Sequence, residues 1–127
     1  ALQIPFPQNG VYTSTKLIRE YPDLVRRYLR AYTEAIHFYK TRKEDVFKII
    51  RKYSRVDDRK FLEEAWDWHT KFMPEAPYPP AEGYQLVLQD MAEKNPKAAQ
   101  ANVKDYIDTR FVKELEDSGF IKGLYRK

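Results

Sequence analysis

The stretch EYPDLVRRYLRAYTEAIHFYK, residues 20–40, has the most regular pattern in the chain and predicts a long amphipathic helix. Apolar side chains recur in alternating steps of four and three residues, the spacing of one helix face. These residues are Val25, Leu29, Tyr32, Ile36 and Tyr39. The opposite face carries Arg26, Arg30, Thr33, His37 and Lys40. We therefore expect the first face to be buried and the second to lie in water.

The composition is that of one folded domain. The chain has 127 residues, of which 43% are hydrophobic and 33% are charged, so that a disordered chain is excluded. Ten tyrosines suit half-buried surfaces and clefts, because each ring packs while its hydroxyl needs a polar partner. The absence of cysteine excludes disulfides, thiol catalysis and cysteine-bound metals. No apolar run reaches the roughly 20 residues that span a bilayer, so we expect no membrane insertion.

The charges do not indicate a nucleic-acid partner. The net charge is +4, from 23 basic and 19 acidic residues whose signs alternate along the chain. Nucleic-acid binders usually gather basic residues into a stripe. Only Arg26, Arg27 and Arg30 approach such a stripe, and we interpret them as a solvated helix face.

Local signals divide the chain at residue 21. Residues 1–21 are predicted to form an extended crossing segment, with a turn at Asn9-Gly10 and one short strand at Val11–Thr13. A turn of helix at 15–20 should end before Pro22. Residues 22–127 are predicted to be helical and to form a single unit, and Pro22 suits the first position of the long helix.

Further helix boundaries follow from capping residues. The sequence TRKE at 41–44 predicts a capping box that begins a second helix. Asp57 or Asp58 should cap a third helix, and Pro80 can begin a fourth. Near the C-terminus, Asn102 predicts a short turn, Asp108 a final helix, and Gly119 a left-handed cap followed by Phe120 folding back. The inward residues predicted for the third helix are Phe61, Leu62, Ala65, Trp66, His69 and Phe72.

No arrangement of residues indicates catalysis. The histidines lie on different predicted helices, and His69 is predicted to be a core residue. Trp66 and Trp68 are two positions apart, so on a helix one should be buried and the other exposed rather than both stacking on a ligand. The four glycines form no phosphate-binding loop. We therefore predict no enzyme activity, no metal site and no cofactor in this chain.

The opening segment is the candidate ligand-binding region. Asn9, Gly10 and Tyr12 combine free backbone groups with small polar side chains in a segment that prolines hold extended. Such material lines clefts or forms hinges. An edge strand after a loop explains the same residues equally well.

Two blocks of sequence, with their order and spacing, resemble a known family. They are TSTKLIREYPDLVRRYLRAYTEAIHF at 13–38 and DTRFVKELEDSGFI at 108–121, with Asn95-Pro96 between them. Over residues 4–121 the chain resembles the C-terminal portion of the periplasmic substrate-binding proteins of ABC transporters. The class is the one that serves nitrate, taurine, alkanesulfonates and thiamine-pyrimidine precursors.

The resemblance implies a fold class and a function. The chain would be mainly α, the helical C-terminal fragment of a two-lobed α/β type II periplasmic binding protein, with one short N-terminal strand. The whole protein would capture a small molecule such as nitrate, a sulfonate or a pyrimidine-like compound outside the cytoplasm, in the periplasm, and deliver it to an ABC permease. Asn9, Gly10 and Tyr12 would approach its cleft, and the isolated chain is expected to self-associate.

Two other hypotheses stay open on the sequence. The chain can be part of a thiamine-pyrimidine synthesis enzyme of the same fold, which would need histidine and iron-binding residues elsewhere. Alternatively, it can be an autonomous helical interaction module that uses the basic face around Arg26, Arg27 and Arg30.

Overall fold

A computed structural model describes residues 10–126, which form eight α-helices and one 3-10 turn. The chain is thus mainly α, as predicted. The first four helices are α1 (Thr15–Glu20), α2 (Pro22–Thr41), α3 (Lys43–Ser54) and α4 (Arg59–Phe72). They are followed by α5 (Ala81–Ala92), α6 (Pro96–Ala99), the 3-10 turn (Val103–Asp105), α7 (Arg110–Asp117) and α8 (Phe120–Leu124).

Helix α2 is the central element of the fold. Pro22 occupies its first turn, where no intrahelical partner is lost, and Asp23 lies near the positive end of the helix dipole. The helix contacts α1, α3, α7 and α8. Its residues Val25 and Leu29 join Phe111 and Val112 of α7 in the buried core, which Leu17 and Ile18 of α1 flank.

Helices α3 and α4 are joined through Arg59. Its guanidinium donates hydrogen bonds to both carboxylate oxygens of Glu44, at 2.6 and 2.9 Å, and lies 5.1 Å from the centre of the buried Phe47 ring. Asp58 caps α4 by accepting a hydrogen bond from the Phe61 amide, which confirms the predicted start of this helix.

The predicted capping box at 41–44 is wrong. Thr41 is the last residue of α2, and its hydroxyl donates to the carbonyl of His37 one turn back. Glu44 is engaged by Arg59 and does not bond back to the start of α3. Helix α2 continues through Thr41, so the Thr41 side chain bonds within α2 and does not cap α3.

Helix α4 is anchored to the end of α2. The ammonium group of Lys40, in α2, donates to the carbonyls of Thr70 and Met73 at 3.2 and 2.7 Å. These carbonyls lie at the C-terminal end of α4, where carbonyls have no partner within the helix. The indole nitrogen of Trp66 donates to the Tyr39 carbonyl at 2.9 Å.

The C-terminal elements follow the predicted signals with small shifts. Helix α5 packs on α6 and on the 3-10 turn, which Asn102 caps as expected. Thr109, and not the predicted Asp108, is the N-cap residue of α7. The Asp108 side chain, one position before the cap, accepts a hydrogen bond from the backbone amide of Arg110. Gly119 is left-handed with φ 73°, as predicted, but Phe120 begins α8 instead of only folding back.

The predicted short strand is not formed. Residues 10–14 have no regular secondary structure, and residues 10–126 contain no strand with which they could pair. A strand is stabilised by hydrogen bonds to a neighbouring strand, so β-prone residues alone do not form one. Asn9 and the rest of the predicted crossing segment before it lie outside the described residues.

Candidate functional site

An open groove with a volume of about 1800 Å³ is the main concave feature of the described residues. Helix α2 lies along its floor, and α5 and the C-terminal end of α4 contribute to its sides. The proline-rich segment 74–80 and the residues 10–13 also border it. The α2 residues that line the groove are Val25, Leu29, Tyr32 and Ile36, four of the five residues of the predicted apolar face.

Two of the three predicted ligand-binding residues lie at this groove. Gly10 and Tyr12 both line it. The hydroxyl of Tyr84, on α5, donates a hydrogen bond to the Tyr12 hydroxyl at 2.9 Å, and the two rings meet edge to face with centroids 6.5 Å apart. The third predicted residue, Asn9, lies outside the described residues.

The Tyr12–Tyr84 pair supplies neutral polar groups to an apolar surface. Burial, and then the hydrogen bond to Tyr12, raises the pKa of Tyr84 to about 12. Tyr84 therefore keeps its proton at neutral pH and remains a donor. Tyr12 is exposed over 68% of its surface, so the pair is accessible from the groove mouth. A pair of this kind can orient a polar group of a bound molecule or hold the opening segment against α5.

In the sequence, Tyr84 falls on the apolar face of the fourth predicted helix and carries no signal of a polar role. Tyr84, Val87, Leu88 and Met91 all line the groove, at the spacing of one helix face. The periodicity therefore marked this face, but only the fold shows that it is turned toward α2 across open space.

The polar face of α2 is exposed at its arginines but not throughout. Arg26 binds Glu114 and Arg30 lies 4.3 Å from the Phe120 ring centre, yet their side chains are 45% and 60% exposed, as predicted for a solvated face. The His37 ring meets Tyr125 edge to face at 4.8 Å. Thr33 departs from the prediction: it is fully buried, with its hydroxyl donating to the Leu29 carbonyl at 2.8 Å.

Residues of α4 also depart from the predicted inward set. Trp66 is half-buried and Trp68 is 54% exposed, so one indole packs and the other does not, as predicted. His69 was predicted to be a core residue but is exposed, with its ring edge to face against Tyr39 and Trp68. Phe61 and Phe72, also predicted inward, expose about half of their surface.

Asp108 lines the groove, and a bidentate ion pair with Arg110 lowers the pKa of this carboxyl. An ionised and paired carboxylate is a poor general base. Within residues 10–126 no three metal-binding side chains cluster together. The helices of this part of the chain also lack the length and apolar character that crossing a membrane requires.

Comparison with known proteins finds no relatives. No family model matches the chain, and no curated protein or solved structure is significantly similar to it. The family resemblance noted in the sequence therefore stays a prediction.

Proposed function

We propose that this chain is the C-terminal part of a solute-binding protein that captures a small molecule, such as nitrate, a sulfonate or a pyrimidine-like compound, for an ABC importer. In this proposal the protein acts outside the cytoplasm, and the chain contributes no catalysis. Its helices serve as one side of a larger structure, and another part of the same protein covers the groove. The ligand is bound by the whole protein.

The observation that carries the proposal is the open apolar groove between α2 and α5. Val87, Leu88 and Met91 of α5 line it, and Met91 is 46% exposed while Val87 and Leu88 are half-buried. Apolar side chains that face open space do not gain the stabilisation that burial gives. This arrangement is expected where a further layer, such as a sheet, covers the groove.

The total surface area supports the same view. The accessible surface is 10128 Å². A compact chain of 15.2 kDa exposes about 7,100 Å². The measured surface therefore exceeds the expected one by about 3,000 Å². The ten residues outside 10–126 account for at most about 1,700 Å² of this excess, even if they were as exposed as in an unfolded chain. More than about 1,000 Å² of the excess therefore belongs to residues 10–126. An excess of this size is comparable with one partner's share of a specific interface, about 800 Å².

Cysteine labelling tests whether the groove is covered in the longer gene product. The chain has no cysteine, so a single Tyr32→Cys substitution places one thiol on the groove floor. We expect a maleimide to label it readily in the 127-residue chain and much more slowly in the longer product. Lys52→Cys, on the exposed side of α3, should be labelled equally in both. Equal labelling at position 32 contradicts the proposal.

Ligand-induced thermal stabilisation tests the solute-binding activity itself. The longer product is screened with nitrate, taurine, an alkanesulfonate and a pyrimidine, and binding raises the melting temperature in proportion to the logarithm of ligand concentration over Kd. We expect one class to stabilise the longer product and none to stabilise the 127-residue chain. Protection of position 32 without any ligand response would support the covered groove but not the transport function.

A further inference from the structure

Helix α4 carries an apolar strip that the fold leaves open. Phe61, Trp68 and Phe72 are 56%, 54% and 49% exposed. With the half-buried Ala65 between them, they follow steps of four, three and four residues, which places them in one row along the helix. The buried residue Leu62 and the anchored Trp66 lie on the adjoining side. The packing with α2 and α3 thus uses only part of the apolar surface of α4.

The two aromatic side chains at the C-terminal end of the strip lie against each other. The rings of Trp68 and Phe72 are 5.1 Å apart, and the ammonium group of Lys71 lies 5.5 Å from the Phe72 ring centre. Glu64 and Lys71 are exposed and border the strip on the same side, one heptad apart. The strip therefore has an apolar centre and a charged edge, the layout of helices that pair with other helices.

We propose that two copies of the chain associate through this strip, with the two α4 helices antiparallel about a two-fold axis. Such an axis between positions 65 and 68 sets Phe61 opposite the second copy's Phe72, and Trp68 opposite the second copy's Ala65. Each large indole then faces a small methyl group, which allows the helices to interlock. The row from 61 to 72 is about 16 Å long, four contact layers of a helix pair.

The charged edges match in the antiparallel arrangement only. Glu64 of one copy comes beside Lys71 of the other, and the symmetry repeats the pair, so that two opposite-charge contacts flank the aromatic centre. A parallel two-fold pairing would place the Glu64 and Lys71 edges of the two copies on opposite sides of the interface, so neither of these contacts could form. The helix dipoles also favour antiparallel neighbours.

The area available is enough for a weak, specific dimer. An aromatic side chain has roughly 200 Å² of surface, so three half-exposed rings on each of two copies contribute about 600 Å². Ala65 and the stems of Glu64 and Lys71 bring the total toward the lower limit of specific interfaces, about 1,000–1,200 Å². The expected dimer is therefore concentration-dependent.

Light scattering coupled to size exclusion, with sedimentation at several concentrations, tests the dimer in the whole chain. We expect a mass of 15.2 kDa on dilution and twice that mass at high concentration. Glu64→Lys or Lys71→Glu alone should weaken the dimer on the order of tenfold or more, because each places like charges together twice. The double variant Glu64→Lys/Lys71→Glu should restore it, and Lys104→Glu, on the 3-10 turn, is the control matched to Lys71→Glu in net charge.

Trp68 and Phe72 border the groove as well as the strip, so substituting them would affect both surfaces. Reversing the charges of Glu64 and Lys71, which do not line the groove, tests the strip alone. Circular dichroism establishes that each variant is folded. A monomer at every concentration overturns the proposal, and so does a dimer that neither single charge reversal weakens or that the double variant fails to restore. None of these outcomes depends on whether the groove is covered in a longer product, so the test is independent of the proposed function.

Discussion

Arg26 of α2 and Glu114 of α7 form a bidentate ion pair between positions 88 residues apart in the chain. The Nε of Arg26 donates to Oε2 of Glu114 at 2.7 Å, and a second guanidinium nitrogen donates to Oε1 at 3.3 Å. Arg26 also binds Asp23 one turn earlier. The pair lies beside the core that Val25 and Leu29 of α2 form with Phe111 and Val112 of α7, and it fixes the two helices together at the edge of that core.

This ion pair predicts a pH dependence of stability. The hydrogen bonds from Arg26 lower the pKa of Glu114 below its ordinary value near 4.5. A carboxyl whose pKa is lower in the folded state stabilises the fold above its ordinary pKa, and loses that contribution as the pH falls through the lowered value. We expect Glu114→Gln to be less stable than the natural chain at neutral pH. The difference should shrink below pH 4.5 and vanish in stronger acid.

Chemical unfolding at a series of pH values measures this difference. Glu64→Gln, at an exposed position outside the pair, is the control variant, measured at concentrations where the chain is monomeric. A difference between Glu114→Gln and the natural chain that stays constant down to strong acid would show that the carboxylate charge is not what stabilises the α2–α7 contact.

The left-handed turn between α7 and α8 predicts a glycine requirement. Gly119 has φ 73°, and a Cβ placed there meets no atom within 4 Å, so that backbone conformation alone opposes another residue. We expect Gly119→Ala to lower the free energy of unfolding by about 1–2 kcal/mol. Gly123, inside α8, has equally open surroundings and an ordinary helical backbone. Gly123→Ala should be neutral or stabilise the chain by up to about 1 kcal/mol.

The core under α3 predicts a large loss on truncation. Phe47 is fully buried, whereas Tyr53 in the same helix is 77% exposed. Phe47→Ala removes a buried ring and leaves a cavity, so we expect a loss of about 3–5 kcal/mol, measured by denaturant unfolding. Tyr53→Ala should change stability by no more than about 0.5 kcal/mol. Similar effects at the two positions would mean that α3 packs through a different face.

The start of α4 predicts a difference between two adjacent aspartates. Asp58 accepts a hydrogen bond from the Phe61 amide, so Asp58→Ala should cost about 0.5–2 kcal/mol. Asp57 is an exposed partner of Arg51, and surface ion pairs of this kind contribute little. Thermal unfolding of Asp57→Ala should therefore lie close to that of the natural chain. If Asp57→Ala is the more damaging change, the helix begins one residue earlier.

Signals that act within a few residues were sufficient to predict much of this chain. The periodicity of 25–36 identified the long helix and the residues of its apolar face. Asp58, Asn102 and Gly119 act where predicted, because a cap or a left-handed turn depends on backbone groups no more than three positions away. Gly10 and Tyr12 lie at the groove, and their role in ligand binding stays a prediction. Local signals could not identify Tyr84 as the partner of Tyr12, because the two are 72 residues apart in the chain.

Tertiary packing decided what each helix face contacts. Arg26 was assigned to solvent by its polarity, yet its guanidinium binds Glu114, a carboxylate distant in the sequence. Thr33 was also assigned to solvent, yet it is buried, because its hydroxyl can donate to the Leu29 carbonyl of its own helix. Conversely, Phe61 and Phe72 are apolar but remain half-exposed, since α2 and α3 cover only one side of α4. Periodicity determines which residues share a face, and it carries no information about which element, if any, comes to lie against that face.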